Sequence, residues 1–130
     1  MVDFEYASPN PAAFDIANHF HEWTADYHSS TPWKLNFSDY PSHRQRMSFY
    51  EAYLYGISGT RPTDEQLRLL EFQVKAWSPA SHAMWAIWGI VQAREELETG
   101  EDAEFAYLRY AECRLNAFRD GAVALMNITV

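Results

Sequence analysis

The sequence predicts a mainly α-helical protein of 130 residues. Two observations lead to this prediction: apolar residues recur at intervals of three and four, and capping residues or glycine separate the segments that show this spacing. A composition of 48% apolar and 22% charged residues is that of an ordinary globular domain. Only Met1 to Tyr6 reads as part of a strand, so we expect about five helices after a short N-terminal strand.

The first two helices are predicted from their spacing and their capping residues. Apolar residues three apart, such as Phe14 and Ala17, favour a helix over about residues 12–27. A loop follows, and Ser42 is then a candidate N-cap for a second helix. Gly56 is expected to end this second helix.

The next two helices are predicted on either side of a proline. Thr63 and Gln66 have the spacing of a capping box, so a third helix should begin there and end near Trp77. A serine and then Pro79 follow, which is the pattern of an N-cap with proline at the first helical position. A fourth helix is therefore predicted from this point to about Glu98.

The last helix is predicted over about residues 102–120, with Gly121 as its C-terminal stop. The apolar tail over residues 122–130 has no clear periodicity, so no structure is assigned to it. No internal repeat, low-complexity tract or long linker divides the chain. Residues 1–130 therefore form at most one domain.

Charge and composition argue against several classes of function. A net charge of −8 offers no basic patch for nucleic acid. Cys113 is the only cysteine, which excludes an intrachain disulfide and favours a reducing compartment. No leader and no apolar run near 18 residues is found, so we expect a cytoplasmic protein without a membrane span.

Aromatic residues make up 16% of the chain, which is more than a small core requires. Trp85 and Trp88 are three apart, so they lie on one face of a helix. From this spacing alone a place in the core is favoured. Two indoles with a carboxylate nearby could instead surround a quaternary ammonium group, which is attracted to the faces of aromatic rings.

Carboxylates near the N-terminus form a second candidate site. Asp3 and Glu5 are two apart, so both side chains would point to one face of an extended segment. A strand that ends in carboxylates before a turn and a helix is a common arrangement for a metal ion or another cation. The alternative is an exposed carboxylate at the end of the chain. No zinc site is expected, since His19 and His21 lie on different helix faces.

Three segments resemble the choline/ethanolamine kinase family. They are Asp3-Phe4-Glu5-Tyr6 continuing through Asn10 to Glu22-Trp23, the run from Ala80 to Ala93, and Phe105-Ala106-Tyr107 with Tyr110-Ala111. Together they cover nearly the whole chain but correspond to only about the last third of a family member. The resemblance implies the helical C-terminal lobe of a protein-kinase-like fold, present as a truncated, partial domain.

The resemblance also implies a function and a set of site residues. Family members transfer the γ-phosphoryl group of ATP to choline, a step towards phosphatidylcholine, with Mg²⁺ as cofactor. Asp3 occupies the place of the family's magnesium-binding aspartate. The residues that align with the choline pocket are Tyr6, Glu22, Tyr27, Trp33, Trp85, Trp88, Phe105 and Tyr110.

The parts that a kinase needs for phosphoryl transfer are missing from these 130 residues. There is no glycine-rich loop, Lys34 and Lys75 are the only lysines, and no His-x-Asp is followed five residues later by Asn. No catalytic residue is therefore predicted in this chain. Two hypotheses stay open: part of a choline kinase-like enzyme, or a non-catalytic paralogue that binds a quaternary ammonium ligand or a protein partner. The sequence does not separate choline from ethanolamine, and self-association or pairing with an upstream fragment is also expected.

Overall fold

The computed structural model describes residues 6–100 and 105–128 and confirms the mainly helical fold. Regular structure in these residues consists of five α-helices, a short 3-10 helix (Phe37–Asp39) and one antiparallel bridge between Ala25 and Leu35. The α-helices are α1 (Ala12–Glu22), α2 (His43–Ser58), α3 (Asp64–Gln92), α4 (Arg94–Thr99) and α5 (Tyr107–Ile128). The predicted N-terminal strand lies outside the described residues, apart from Tyr6.

Helix α3 is the element on which α1, α2, α4 and α5 all pack. Two helices with a break at Pro79 were predicted here, and that prediction is wrong, because α3 continues through the proline. An internal proline removes one backbone hydrogen bond. Pro79 is buried against α5, where a Cβ built on Gly121 would lie 3.0 Å from Pro79 Cγ. Packing of α5 at this point offsets the lost bond.

The first three predicted helix starts are confirmed, but the other two are wrong, because α3 passes through the proline and α5 begins at residue 107. Four of the predicted helix ends are also wrong. Both Ser42 and Thr63 form complete capping boxes with the residues three positions later. Helix α2 runs past Gly56 and ends at Gly59, which has a φ of +68° and donates its N–H to the Tyr55 carbonyl at 2.8 Å. A left-handed residue after the last turn is what stops a helix, and Gly56 does not have this conformation.

Helix α1 ends at Glu22, five residues before the predicted end at Tyr27. The Thr24 hydroxyl donates to the His21 carbonyl at 2.6 Å, and the Asn36 N–H donates to the Thr24 carbonyl at 2.7 Å. These bonds turn the chain away from the helix axis, so Tyr27 lies in the loop that follows.

Helix α5 extends to Ile128, beyond the predicted stop at Gly121. Gly121 serves as a site of close approach to α3 and not as a cap. The apolar tail, for which the sequence predicts no structure, is helical to Ile128, and Ala122 and Leu125 within it are partly buried. None of the described helices has the length and apolar character that crossing a membrane requires.

The apolar core lies between α1, α2 and α3. Its buried members are Ala13, Ile16, Ala17, Phe20, Tyr50, Leu70 and Val74. An ion pair closes this core on one side, where Arg46 donates to the two Glu71 carboxylate oxygens at 2.7 and 3.1 Å.

The Glu71 carboxylate has two further partners. It accepts from the Tyr50 hydroxyl at 2.7 Å and from the Lys75 ammonium at 2.9 Å. Burial raises the pKa of Glu71, but hydrogen bonds from Arg46, Tyr50 and Lys75 outweigh burial and lower this pKa to about 2. Glu71 is therefore ionised at neutral pH and joins α2 to α3.

Candidate functional site

An aromatic cavity of about 350 Å³ lies between the end of α1, the C-terminal half of α3 and the start of α5. Its lining residues are Glu22, Tyr27, Trp85, Trp88, Phe105, Tyr107 and Tyr110. Six of these seven side chains are aromatic, and the seventh is a carboxylate. We call this cavity the aromatic pocket.

Trp88 is the centre of the aromatic wall. Its ring centroid lies 5.4 Å from that of Trp85, 5.7 Å from Tyr107 and 6.0 Å from Tyr110. All three pairs have an edge-to-face arrangement, which matches the positive edge of one ring with the negative face of another. The two indoles are three residues apart in α3, so helical geometry places both on the face that meets α5.

Phe105 connects the α5 side of the pocket with the loop after α1. Its ring centroid lies 5.0 Å from Tyr107, 5.7 Å from Tyr110 and 6.5 Å from Tyr27. The early end of α1 makes the last contact possible, because it releases Tyr27 from the helix.

The Glu22 carboxylate is held at both oxygens. Oε2 accepts from the Tyr27 hydroxyl at 2.8 Å, and Oε1 accepts from Arg114 Nη2 at 3.0 Å. Burial and the neighbouring Glu22 carboxylate raise the pKa of Tyr27, so its phenol stays a neutral donor. The Glu22 side chain is 47% exposed, which leaves its charge available to a cation in the pocket.

Arg114 lies beneath the pocket with a side chain that is 0% exposed. Its Nε donates to the Tyr110 hydroxyl at 3.0 Å, and its Nη1 lies 3.4 Å from His82 Nδ1. Sequence reasoning did not select this residue. The available signal was its position in α5, four residues after Tyr110, which places both on one helix face.

A chain of hydrogen bonds behind Trp85 fixes that ring. The Trp85 indole N–H donates to Asn18 Oδ1 at 3.2 Å, and the Ser81 hydroxyl donates to the same oxygen. Ser81 must then accept from His21 Nδ1 at 2.9 Å, because its own proton is already used. Neutral His21 has no proton left on Nε2, which accepts from the Ser78 hydroxyl at 2.8 Å.

The two buried histidines stack on each other with a centroid separation of 3.8 Å. Burial, then the nearby His82 and Arg114, lower the pKa of His21 to about 2. Burial and Arg114 lower the pKa of His82 to about 3. Both rings are therefore neutral at pH 7, and His82 Nδ1 accepts from Arg114. Across residues 6–100 and 105–128, no group of three or more His, Cys, Asp or Glu side chains could hold a metal ion.

Six of the eight residues predicted for the choline pocket line the aromatic pocket: Glu22, Tyr27, Trp85, Trp88, Phe105 and Tyr110. Tyr6 is adjacent, since its hydroxyl accepts from Trp88 Nε1 at 3.0 Å. Trp33 lies elsewhere, beside a separate cleft, with its ring centroid 5.4 Å from the Arg109 guanidinium carbon. Asp3, the predicted magnesium ligand, lies outside the described residues. A role in ligand binding stays a prediction for each of these residues.

Besides Arg114, two contributors to the pocket were not predicted. Tyr107 lines it beside Trp88. Gly89 lets α5 approach α3 closely, since a Cβ there would lie 3.1 Å from Ala111 Cβ and 3.1 Å from Tyr110 Cδ1. Contacts this short leave no room for a larger side chain, so Gly89 sets the distance between the two walls of the pocket.

Replacing Gly89 with valine is expected to lower the free energy of unfolding by about 1–3 kcal/mol, the usual cost of overpacking. Gly56→Val is the matched control, because no atom lies within 4 Å of a Cβ at that helical position. The control should change stability by less than about 0.5 kcal/mol. Urea unfolding followed by tryptophan fluorescence measures both, and equal stability of the two variants would contradict the proposed close packing.

Comparison with known proteins identifies the family. The family model for choline/ethanolamine kinase matches residues 1–119. A probable choline kinase 2 of Arabidopsis thaliana is 36% identical over 118 residues, which cover 91% of this chain and 32% of the relative. Choline kinase alpha of Mus musculus is 36% identical, with 92% of this chain and 27% of the relative covered.

A human choline/ethanolamine kinase is 38% identical over 125 residues, which cover 91% of this chain and 30% of the relative. The chain thus spans about a third of the length of these curated relatives. Since the family model covers nearly all of the sequence, the chain belongs to the choline/ethanolamine kinase family.

Proposed function

We propose that this chain forms the choline-binding part of a kinase that transfers the γ-phosphoryl group of ATP to the hydroxyl of choline. The observation that carries the proposal is the aromatic pocket, in which six aromatic rings and the Glu22 carboxylate surround one cavity. The reaction would supply a precursor of phosphatidylcholine, and we place it in the cytoplasm. Ethanolamine is the second substrate that the family membership suggests.

The pocket has the chemistry that a quaternary ammonium group requires. Such a cation has no N–H to donate, so it gains from ring faces and from an anion. A cation over a desolvated aromatic face is stabilised by about 0.5–2 kcal/mol. Glu22 supplies the negative charge, and its hydrogen bonds with Tyr27 and Arg114 keep the carboxylate in one orientation.

Phosphoryl transfer needs groups beyond the choline pocket. We propose Asp3 as a ligand of Mg²⁺, a hard cation usually bound by one or two carboxylates together with phosphates. When bound, the metal would neutralise charge on the phosphates. A general base and a phosphate-binding lysine would have to come from another segment, and pairing of this chain with such a segment is the corresponding prediction.

Choline should bind to the 130-residue chain more tightly than 3,3-dimethylbutan-1-ol, its neutral isostere, because only the cation is attracted to ring faces and to Glu22. Trp88→Ala should weaken choline binding by at least about 1 kcal/mol, a factor of roughly five. Trp77→Ala is the control, since Trp77 also lies in α3 but packs on Phe14, away from the pocket. Titration calorimetry measures each affinity.

Equal binding of the two isosteres, or no binding of choline at millimolar concentration by the folded chain, would overturn the proposed pocket. A phosphotransfer assay with ATP, Mg²⁺ and choline separates the two hypotheses about catalysis. The kinase is supported if the chain alone binds choline without forming phosphocholine and becomes active when the upstream segment of a family member is added. Binding without activity in either case supports a non-catalytic paralogue.

A further inference from the structure

We propose that Arg114 is the positioning residue of the aromatic pocket: it holds the Glu22 carboxylate and the Tyr110 ring in place without contacting the ligand. This inference rests on the proposed function, since it concerns how that pocket receives a cation. Arg114 is not among the side chains that line the cavity, and it is 0% exposed. It therefore has no contact with a ligand, and it can position one only through its neighbours.

The three nitrogens of the guanidinium each point to a different helix. Nη2 donates to Glu22 at the end of α1, at 3.0 Å. Nε donates to the Tyr110 hydroxyl in α5 at 3.0 Å, and Nη1 meets His82 of α3 at 3.4 Å. A rigid planar fork can satisfy three separate acceptors at once, whereas a lysine ammonium cannot reproduce this geometry.

Arg114 also covers part of the Tyr110 ring. Its guanidinium carbon lies 5.1 Å from the ring centroid, within the range of a cation–π contact. The hydroxyl and the ring of Tyr110 are thus held by the same side chain. Tyr110 packs edge-to-face on Trp88. The orientation of the Tyr110 ring therefore also determines how the Trp88 ring faces the cavity.

Because Arg114 is charged, its role can be tested by whether its replacement strengthens or weakens the binding of a cation. A buried positive charge beneath a cation pocket repels the ligand, so charge alone predicts that Arg114→Met binds a cation more tightly. Positioning predicts the opposite, because Glu22 Oε1 and the Tyr110 hydroxyl each lose a donor when Arg114 is replaced. The two explanations cannot give the same result.

The experiment titrates tetramethylammonium into the 130-residue chain and its variants, with calorimetry as the readout and circular dichroism as the check on folding. Arg114→Met is expected to weaken binding about tenfold, the lower end of what loss of a supporting partner costs at metal sites. Arg114→Lys should recover only part of this loss. Arg119→Met removes the same charge from an exposed position of α5 and should change binding by less than about twofold.

A double-mutant cycle with Glu22→Gln distinguishes positioning from a general structural role. If Arg114 acts through Glu22, Arg114→Met should weaken binding by less than about threefold once Glu22 has lost its charge. A purely structural role would give the same factor in both backgrounds. If Arg114→Met does not fold, the same cycle is measured with Arg114→Lys.

Each outcome decides between the explanations. Unchanged or tighter binding by folded Arg114→Met, additive effects in the cycle, or full recovery by Arg114→Lys would overturn the role of Arg114 and leave the proposed function intact. A folded wild-type chain that does not bind tetramethylammonium would overturn the proposed function and, with it, this inference.

Discussion

Replacing Glu71 with glutamine is expected to lower the free energy of unfolding by about 3–5 kcal/mol, the cost of leaving one partner of a buried ion pair alone. The side chains of Arg46 and Glu71 are only 13% and 10% exposed, so water has little access to the pair. Glutamine keeps the volume of glutamate but replaces one acceptor oxygen with a donor. That donor would face the N–H groups of Arg46 or Lys75, where two donors meet without an acceptor.

Glu51→Gln is the matched control, because it breaks a more exposed ion pair of α2. Its partner is Arg61 at 3.1 Å, and these side chains are 45% and 85% exposed. Exposed pairs contribute about 0–1 kcal/mol, so the control should unfold close to wild type. Urea unfolding at pH 7 measures both variants. A loss in Glu71→Gln no larger than that in the control would show that this network does not stabilise the fold.

Acidification from pH 6.5 to pH 4.5 is expected to destabilise the chain through its buried histidines by about 2–5 kcal/mol in total, since one pKa unit corresponds to about 1.4 kcal/mol. Burial lowers the pKa values of His21 and His82 to about 2 and about 3, against an ordinary 6.5. The unfolded chain therefore binds protons in this range that the folded chain does not. The contribution of these residues to stability is complete above pH 6.5 and is lost as the pH falls towards 3.

Urea unfolding at half-unit steps of pH gives the slope of the free energy of unfolding against pH. Between pH 6.5 and 4.5 the slope should approach two protons, one for each histidine. His82→Gln keeps an acceptor for Arg114 but removes one titrating ring, so its slope should be about half that of wild type. Glu71 loses its contribution only below its ordinary pKa of 4.5, which separates it from the histidines. Equal slopes in wild type and His82→Gln would contradict the assignment.

The starts of α2 and α3 were predictable from the sequence because they depend on local chemistry. Ser42 and Thr63 cap their helices through side chains within three residues, so the signal and its effect lie in one short segment. The site was predicted in part for the same reason. Trp85 and Trp88 share a helix face by spacing alone, but only the family resemblance favoured a pocket over the core.

The continuation of α3 through its proline and the partners of the buried polar groups were not predictable, because they depend on contacts between distant segments. Pro79 stays inside α3 since it packs on Gly121, 42 positions away in the numbering of the chain. Arg114 meets Glu22 across a separation of 92 residues. No local rule identifies such partners, which depend on how α1 and α5 meet α3.

The hydrogen bonds behind Trp85 run in one direction only, and the aromatic pocket sets that direction. An indole N–H can donate but never accept, so Asn18 must present oxygen to it and Ser81 must give its proton to that oxygen. The tautomer of His21 follows, and so does the orientation of the Ser78 hydroxyl. Without the indole, two proton orders would be open to the same serine–histidine–serine string. One ring in the pocket wall thus decides where the proton lies on a hydroxyl that it does not touch.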